Sequence, residues 1–166
     1  VGGYNPEVAG IVYNVEIYNN TIVDNGTSSG GQLSLAYVDG VKVFNNIFYV
    51  SDNSKYSLLG GDLDTQYLQN VKFTNNMYYI NGVSETNAIF DLGNVKYQGL
   101  SSFASAYGET GTYKNPNFVD IANNDYHLTS TSPAINTGVS GNDTIYDLDK
   151  KKRVNKTIDL GCYEIQ

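Results

Sequence analysis

Hydrophobic and polar residues alternate in an eight-residue pattern that the chain uses three times. The copies are VEIYNNTI at residues 15–22, VKVFNNIF at 41–48 and VKFTNNMY at 71–78. Alternation directs the apolar residues of each copy to one face and Glu16, Lys42 or Lys72 to the other. The copies recur at intervals of 26 and 30 residues. A strand pattern with this period predicts a solenoid, in which inner residues of successive coils lie over one another.

Each copy carries a pair of asparagines at the same position: Asn19–Asn20, Asn45–Asn46 and Asn75–Asn76. Asparagine tolerates the left-handed backbone that turns a corner, and stacked asparagine side chains pass hydrogen bonds from one coil to the next. The sequence therefore predicts an asparagine ladder. The alternative is that these residues form ordinary turns of an antiparallel sandwich.

The composition also favours an all-β chain. Among 166 residues there are 15 Tyr, 17 Gly and only 3 Pro, and no segment has the pattern of a long amphipathic helix. We predict one domain over residues 1–166, with regular coils over 1–93 and a less regular closing region over 94–166. Residues 101–106 indicate a short helical turn, and the segment around Cys162 indicates a final strand. Because the repeat starts near Val1 without a capping element, we expect the chain to be the C-terminal part of a longer solenoid. The alternative is that residues 1–10, or another chain, cap this end.

The closing region carries three motifs: NPNFVD at residues 115–120, DYHL with SPAINTG between 125 and 138, and DLGCYE at 159–164. Their order resembles the last coils of right-handed parallel β-helix proteins of the pectate-lyase-like superfamily, which are mostly secreted bacterial polysaccharide lyases and hydrolases. The chain departs from the usual motif at Cys162, where that family has alanine. The resemblance implies a right-handed parallel β-helix of five or six coils, a polysaccharide partner and an extracellular or cell-surface location in a bacterium.

Candidate catalytic residues follow from the chemistry that the resemblance implies. Lyases of that superfamily abstract a proton with Lys or Arg, often beside Ca²⁺ held by Asp, and the hydrolases use paired carboxylates. Asp62 and Asp64 alternate onto one face before the third copy, so we assign them a catalytic or calcium-binding role, with Lys72 nearby. Asp39 is one coil away. The alternative is that the aspartates belong to turns and that Glu16, Lys42 and Lys72 pair at the surface.

Aromatic residues are the second candidate group. Tyr18, Phe44 and Tyr67 have ring faces that suit the C–H side of a sugar, so we predict that they bind substrate. The alternative is that they stack on one another between coils. We interpret His127, the only histidine, as structural, and the basic cluster at residues 150–153 as a solvated loop.

Net charge narrows the choice of partner. The chain has 10 basic and 17 acidic residues and a net charge of −7, which disfavours nucleic acid, and no apolar run is long enough to span a membrane. The favoured function is part of an enzyme acting on polysaccharide, first a lyase on acidic, pectin-like polymers and next a glycoside hydrolase. We expect this chain alone to lack the complete active site. The alternatives are a non-catalytic carbohydrate-binding or adhesive surface module and a purely structural end of a solenoid.

Overall fold

The computed structural model describes residues 2, 10–26, 31–60, 67–139, 145–153 and 157–165. These residues are mostly β, with one α-helix, α1 (Leu100–Tyr107), and 3₁₀ turns at Glu85–Asn87 and Ile121–Asn123. The strands are β1 (Val12–Tyr13), β2 (Glu16–Tyr18), β3 (Thr21–Val23), β4 (Leu33–Ser34), β5 (Val38–Asp39), β6 (Lys42–Phe44), β7 (Ile47–Val50), β8 (Leu59–Gly60), β9 (Leu68–Gln69), β10 (Lys72–Thr74), β11 (Met77–Ile80), β12 (Ile89–Leu92), β13 (Val95–Gln98), β14 (Thr112–Tyr113), β15 (Phe118–Asp120) and β16 (Asp125–Leu128).

Strands β1 to β11 form a set of parallel sheets that we call the stack. The sheets have the orders β1-β5-β9, β2-β6-β10, β3-β7-β11 and β4-β8, and β14 adds a fourth strand beside β11. Each repeat of the chain, which we call a pass, therefore adds one strand to each of three sheets. The repeated pattern lies in parallel sheets, so the antiparallel alternative for it is wrong. Within the described residues there are three such passes, fewer than the five or six coils predicted.

The pairing register follows the repeated pattern. Glu16 lies beside Lys42 and Lys42 beside Lys72, while Ile17, Val43 and Phe73 form the next row. The first row is exposed and the second faces the core, where Val43 and Phe73 have no exposed surface. The predicted inward and outward faces are confirmed.

Asparagines turn the corners between β2 and β3 and at the equivalent positions of the next two passes. Asn19, Asn45 and Asn75 have left-handed φ angles of 56°, 57° and 55°. Asparagine is several-fold enriched in this backbone region compared with most other residues that carry a side chain. The first asparagine of each pair therefore sets the corner, as predicted.

The second asparagine of each pair makes the ladder. Asn20 Nδ2 donates to Asn46 Oδ1, and Asn46 Nδ2 donates to Asn76 Oδ1, each at 3.0 Å. The backbone N–H groups of Asn20 and Asn46 donate to the same two oxygens. Asn46 and Asn76 are fully buried, where an unmade hydrogen bond is costly, so the ladder fixes both register and spacing.

Apart from β14, the closing region is antiparallel or irregular where the stack is parallel. β12 pairs with β13, and β15 pairs with β16, in antiparallel hairpins. Helix α1 covers the predicted helical turn. It buries Leu100 and Phe103 in the larger hydrophobic core, which includes Val43 and Phe73 of the stack. Residues 157–165 contain no strand among those described, so the final strand predicted around Cys162 is wrong.

A second, smaller core joins the closing region to the stack. Ile47 and Met77 on the stack pack with Leu128, Ala134 and Leu160. Gly161 N–H donates to Asn45 O at 2.9 Å, and Cys162 N–H donates to Thr21 Oγ1 at 3.1 Å. The described residues of 129–165, which we call the C-terminal segment, therefore cover one flank of the stack.

Candidate functional site

The predicted catalytic and calcium-binding pair, Asp62 and Asp64, lies outside the described residues. Asp39 is in register with Tyr13 and Gln69, and it accepts a hydrogen bond from Asn70 Nδ2 at 2.6 Å. Its carboxylate thus has a local structural partner.

Lys72 lies on the outer face of the stack, as predicted, in register with Lys42. Lys42 Nζ is 2.9 Å from Glu16 Oε1 in an exposed ion pair. For these two residues, this is the surface pairing that the sequence predicted as the alternative to catalysis. Lys72 has no ion-pair partner among the described residues. Within those residues, Lys72 is therefore an exposed cation in register with a paired one.

The three predicted substrate-binding aromatics fall into two separate ring pairs. Tyr18 and Phe44 stack with ring centroids 5.0 Å apart and planes 12° apart, and Tyr67 packs on Tyr37 at 4.7 Å. Each ring covers part of its neighbour's face, because the pairs run along the stack from one pass to the next. Aromatic stacking, the alternative role, is therefore what the structure shows of these rings, and their contact with a sugar remains a prediction.

An open cleft of about 460 Å³ lies between the β15–β16 hairpin and the stack, and we call it the hairpin cleft. Its walls are Tyr49 from the stack and six residues from the hairpin and its flanks: Asn115, Asn117, Phe118, Ile121, Thr129 and Thr131. The rings of Tyr49 and Phe118 are 5.6 Å apart and tilted by 56°. The register of the hairpin, in which Phe118 opposes Leu128, sets this position of Phe118.

The cleft is polar but uncharged. Its described lining contains amide, hydroxyl, aromatic and aliphatic groups. Asn115 Oδ1 accepts from Asn117 N–H, and Asn117 Nδ2 is 3.5 Å from Thr131 O. Within the described residues this leaves Asn115 Nδ2 as a donor and Asn117 Oδ1 as an acceptor without a protein partner. Burial is the main cause that raises the pKa of Tyr49 above its usual value, so its hydroxyl stays neutral.

His127 joins the hairpin to the C-terminal segment. Its Nδ1 is 2.5 Å from Asp125 Oδ1, and its Nε2 is 3.0 Å from Asp149 Oδ2. The imidazole ring stacks on Tyr163, with centroids 3.9 Å apart. Hydrogen bonds to Asp125 and then to Asp149 raise the pKa of His127 above its usual value. The histidine is half-exposed and holds two segments together, which agrees with its predicted structural role.

Arg153 corrects the prediction that residues 150–153 form a solvated loop. Its side chain is only 3% exposed and lies 3.3 Å from Glu164 Oε2, which is 1% exposed. Its guanidinium also donates to Gly161 O at 2.7 Å. Lys150, Lys151 and Lys152 are exposed as expected. The arginine differs because the DLGCYE motif folds around it and supplies its acceptors.

No group of three or more His, Cys, Asp or Glu side chains with metal-binding geometry occurs among the described residues. The described helices include none that is long and apolar enough to cross a membrane. Comparison with protein-family models, with curated proteins and with solved structures gives no significant match.

The hairpin cleft was not predicted from the sequence, although the NPNFVD motif forms part of its lining. Within NPNFVD, Asn115, Asn117 and Phe118 all line the cleft. The available signal was the motif's density of turn residues beside an aromatic. The other wall, Tyr49, is far away in sequence, and only the packing of the hairpin on the stack brings it near.

Proposed function

We propose that this chain is a carbohydrate-binding part of a secreted, right-handed parallel β-helix protein of a bacterium, and that the hairpin cleft holds a sugar unit of a polysaccharide. The observation that carries this proposal is the lining of the cleft. Two tilted aromatic rings stand beside amides and hydroxyls, and Asn115 Nδ2 and Asn117 Oδ1 have no protein partner among the described residues. Aromatic faces suit the C–H surface of a sugar, and convergent amide groups suit its hydroxyls.

The parallel sheets of the stack support the β-helix part of the proposal. Three sheets gain one strand in each pass, and a ladder of asparagines aligns the passes. The closing motifs resemble those of pectate-lyase-like proteins. A preceding part of the same solenoid would pair with strands β1, β2 and β3, which stand at one edge of their sheets.

The charge of the cleft favours a neutral sugar over an acidic one. The described lining residues include no Lys, Arg or His to pair with a uronate carboxylate, and the chain has a net charge of −7. A buried or half-buried carboxylate without a cationic partner is unfavourable. We therefore propose neutral polysaccharide for this cleft, where the sequence alone favoured acidic, pectin-like polymers.

Catalysis is the second candidate, and the position of Lys72 favours it. Lys72 is exposed on the outer face of the stack and has no ion-pair partner in the described part of the chain, which suits the base of a lyase on acidic polysaccharide. In that proposal Asp62 and Asp64 supply the paired carboxylates of a hydrolase or the ligands of Ca²⁺, and Tyr18, Phe44 and Tyr67 contact the polymer. Calcium-dependent cleavage of an acidic polymer would support this candidate over binding alone.

Binding to a panel of neutral and acidic polysaccharides, measured by calorimetry with Ca²⁺ or with EDTA, tests the proposal. We expect a neutral polymer to bind, and Phe118→Ala to weaken its affinity roughly tenfold, because a lost aromatic contact costs about 1–1.5 kcal/mol. Tyr126→Ala is the matched control. Tyr126 packs on Phe118 at 5.5 Å in the same hairpin but does not line the cleft.

Two results would contradict binding in the hairpin cleft. One is the absence of binding to every neutral polymer. The other is an equal loss of affinity in Phe118→Ala and Tyr126→Ala, which would mean that the hairpin, and not the contact with sugar, had been damaged.

A further inference from the structure

The hairpin cleft exists only while the β15–β16 hairpin keeps its position against the stack. Tyr49 belongs to the stack, whereas Phe118, Ile121 and the two threonines of the lining belong to the hairpin and its flanks. Two contacts attach the hairpin to the stack: Phe118 packs on Tyr49, and Leu128 packs in the second core. A third is His127, which connects strand β16 to the C-terminal segment.

The attachment at His127 depends on the protonation state of its ring. Both ring nitrogens face carboxylate oxygens, of Asp125 at 2.5 Å and of Asp149 at 3.0 Å. An imidazolium donates a hydrogen bond from each nitrogen, whereas a neutral imidazole has a single N–H and can satisfy only one carboxylate. Loss of the proton therefore turns one of the two contacts into a repulsion between lone pairs and removes the positive charge between two negative ones.

In the described part of the chain, the charged groups around the ring come from two elements. Asp125 comes from the same strand, while Asp149 and Lys151 come from the C-terminal segment, with Lys151 Nζ 3.0 Å from the same Asp149 oxygen that His127 contacts. Tyr163 covers the ring face from residues 157–165. Lys151 keeps Asp149 paired when His127 is neutral, so the carboxylate has an alternative partner and can leave the ring without remaining unpaired.

We infer that protonation of His127 regulates the hairpin cleft, holding the hairpin on the C-terminal segment at mildly acidic pH and releasing it at alkaline pH. The part of this inference that concerns ligand affinity rests on the proposed function, while the part that concerns the hairpin does not. Because the native pKa of His127 is raised, its stabilising contribution is complete below about pH 6.5, the usual pKa of histidine, and is lost as pH rises through the native value.

The first experiment observes the hairpin without any ligand. His127 is the only histidine in the chain, so its ring proton gives an unambiguous NMR titration. We expect an apparent pKa above 6.5 that falls in Asp149→Asn and is unchanged in the control Asp52→Asn, which removes a carboxylate from the distant, exposed pair with Lys55. Titration at or below 6.5, or an equal response to both variants, would overturn the inference.

Hydrogen exchange supplies the second readout. We compare the amides of residues 118–128 between the wild-type protein and His127→Gln at each pH, so that the intrinsic pH dependence of exchange cancels. Protection in the wild type should exceed that in the variant at pH 6 and match it at pH 9. Equal protection at both values would overturn the inference, even if no polysaccharide binds.

The third experiment measures affinity for the neutral polymer identified in the binding panel at pH 6 and pH 9. We expect about fivefold weaker binding at pH 9, at the low end of typical coupling between sites, and no pH dependence in His127→Gln. An unchanged affinity in the wild type, with the hairpin shown to loosen, would reject the regulation of binding. Absence of binding at both pH values would contradict the proposed function and leave the first two experiments to decide the inference about the hairpin.

Discussion

Glu109 ends the asparagine ladder with a buried carboxylate. Asn76 donates to it twice, from its backbone N–H to Oε1 at 3.1 Å and from Nδ2 to Oε2 at 2.7 Å. The Tyr78 hydroxyl donates at 2.6 Å, and the N–H groups of Thr110 and Gly111 donate to Oε1. Each ladder asparagine donates its backbone N–H and one Nδ2 hydrogen to the next pass, so Asn76 needs an acceptor at the point where the asparagines end. A carboxylate meets that need.

Replacing Glu109 by glutamine tests this assignment at the residue scale. Glu109→Gln keeps the shape of the side chain but turns one acceptor into an NH₂ group that faces other donors. We expect a loss of about 2–3 kcal/mol in the free energy of unfolding, because hydrogen bonds to buried charged groups are lost. Urea denaturation measures the loss. The exposed residue Glu85 is the control, and Glu85→Gln should change stability by less than about 0.5 kcal/mol; equal effects would contradict the capping role.

Strand β14 shows how an element joins the stack after the repeated pattern has ended. It pairs with β11 in parallel, and Thr112 N–H donates to Asn76 O at 2.9 Å. Gly111, just before it, has no room for a side chain, since a Cβ there would lie 1.8 Å from Asn76 O. The close approach of two backbones, and not a special φ angle, is therefore the reason for this glycine.

Gly111→Ala should separate β14 from β11 because the added methyl group cannot be accommodated against backbone. We expect a loss of about 1–3 kcal/mol in stability, together with faster hydrogen exchange at the Thr112 amide. Gly82→Ala is the comparison, because a Cβ at Gly82 would meet nothing within 4 Å. The only expected cost there is the backbone strain of an alanine at a φ of 74°. Unchanged protection of Thr112 in Gly111→Ala would disprove the proposed close approach.

The whole molecule is held together by the C-terminal segment as well as by the stack. Arg153 and Glu164 form a buried ion pair, and the Asp159 carboxylate accepts the N–H groups of Asn136 and Ile165. Asp147 accepts from the N–H groups of Lys151 and Glu164. These contacts fold a segment without strands onto the flank of the stack. The DLGCYE motif thus supplies acceptors both to Arg153 and to backbone N–H groups.

Breaking the buried pair should destabilise the whole protein. Arg153→Met removes the guanidinium that lies against the buried Glu164 carboxylate, for which we expect a loss of about 3–5 kcal/mol in the free energy of unfolding. Combining it with Glu164→Gln should recover a large part of that loss, because the buried carboxylate that Arg153 contacts is then absent. Thermal unfolding of the single and double variants measures the coupling, with Lys55→Met at the exposed Asp52–Lys55 pair as a control that costs less than about 1 kcal/mol. A double variant no more stable than Arg153→Met would contradict this reasoning.

The sequence by itself determined the local features of the stack. Alternation placed Val43 and Phe73 inside and Lys42 and Lys72 outside, and the asparagine pairs fixed the corners and the ladder. These features depend only on residues near each other in the chain and on the period that repeats them, so the pattern predicts them well.

Tertiary structure alone decided the hairpin cleft, the end of the ladder and the surroundings of His127. His127 and Asp149 are 22 residues apart, and Asn76 and Glu109 are 33 apart, with no period that relates them. Arg153 looked like part of a solvated basic loop because its neighbours are lysines, and it is buried because distant acceptors surround it. Contacts of this kind depend on where non-repeating segments pack on the stack, and local spacing carries no information about that.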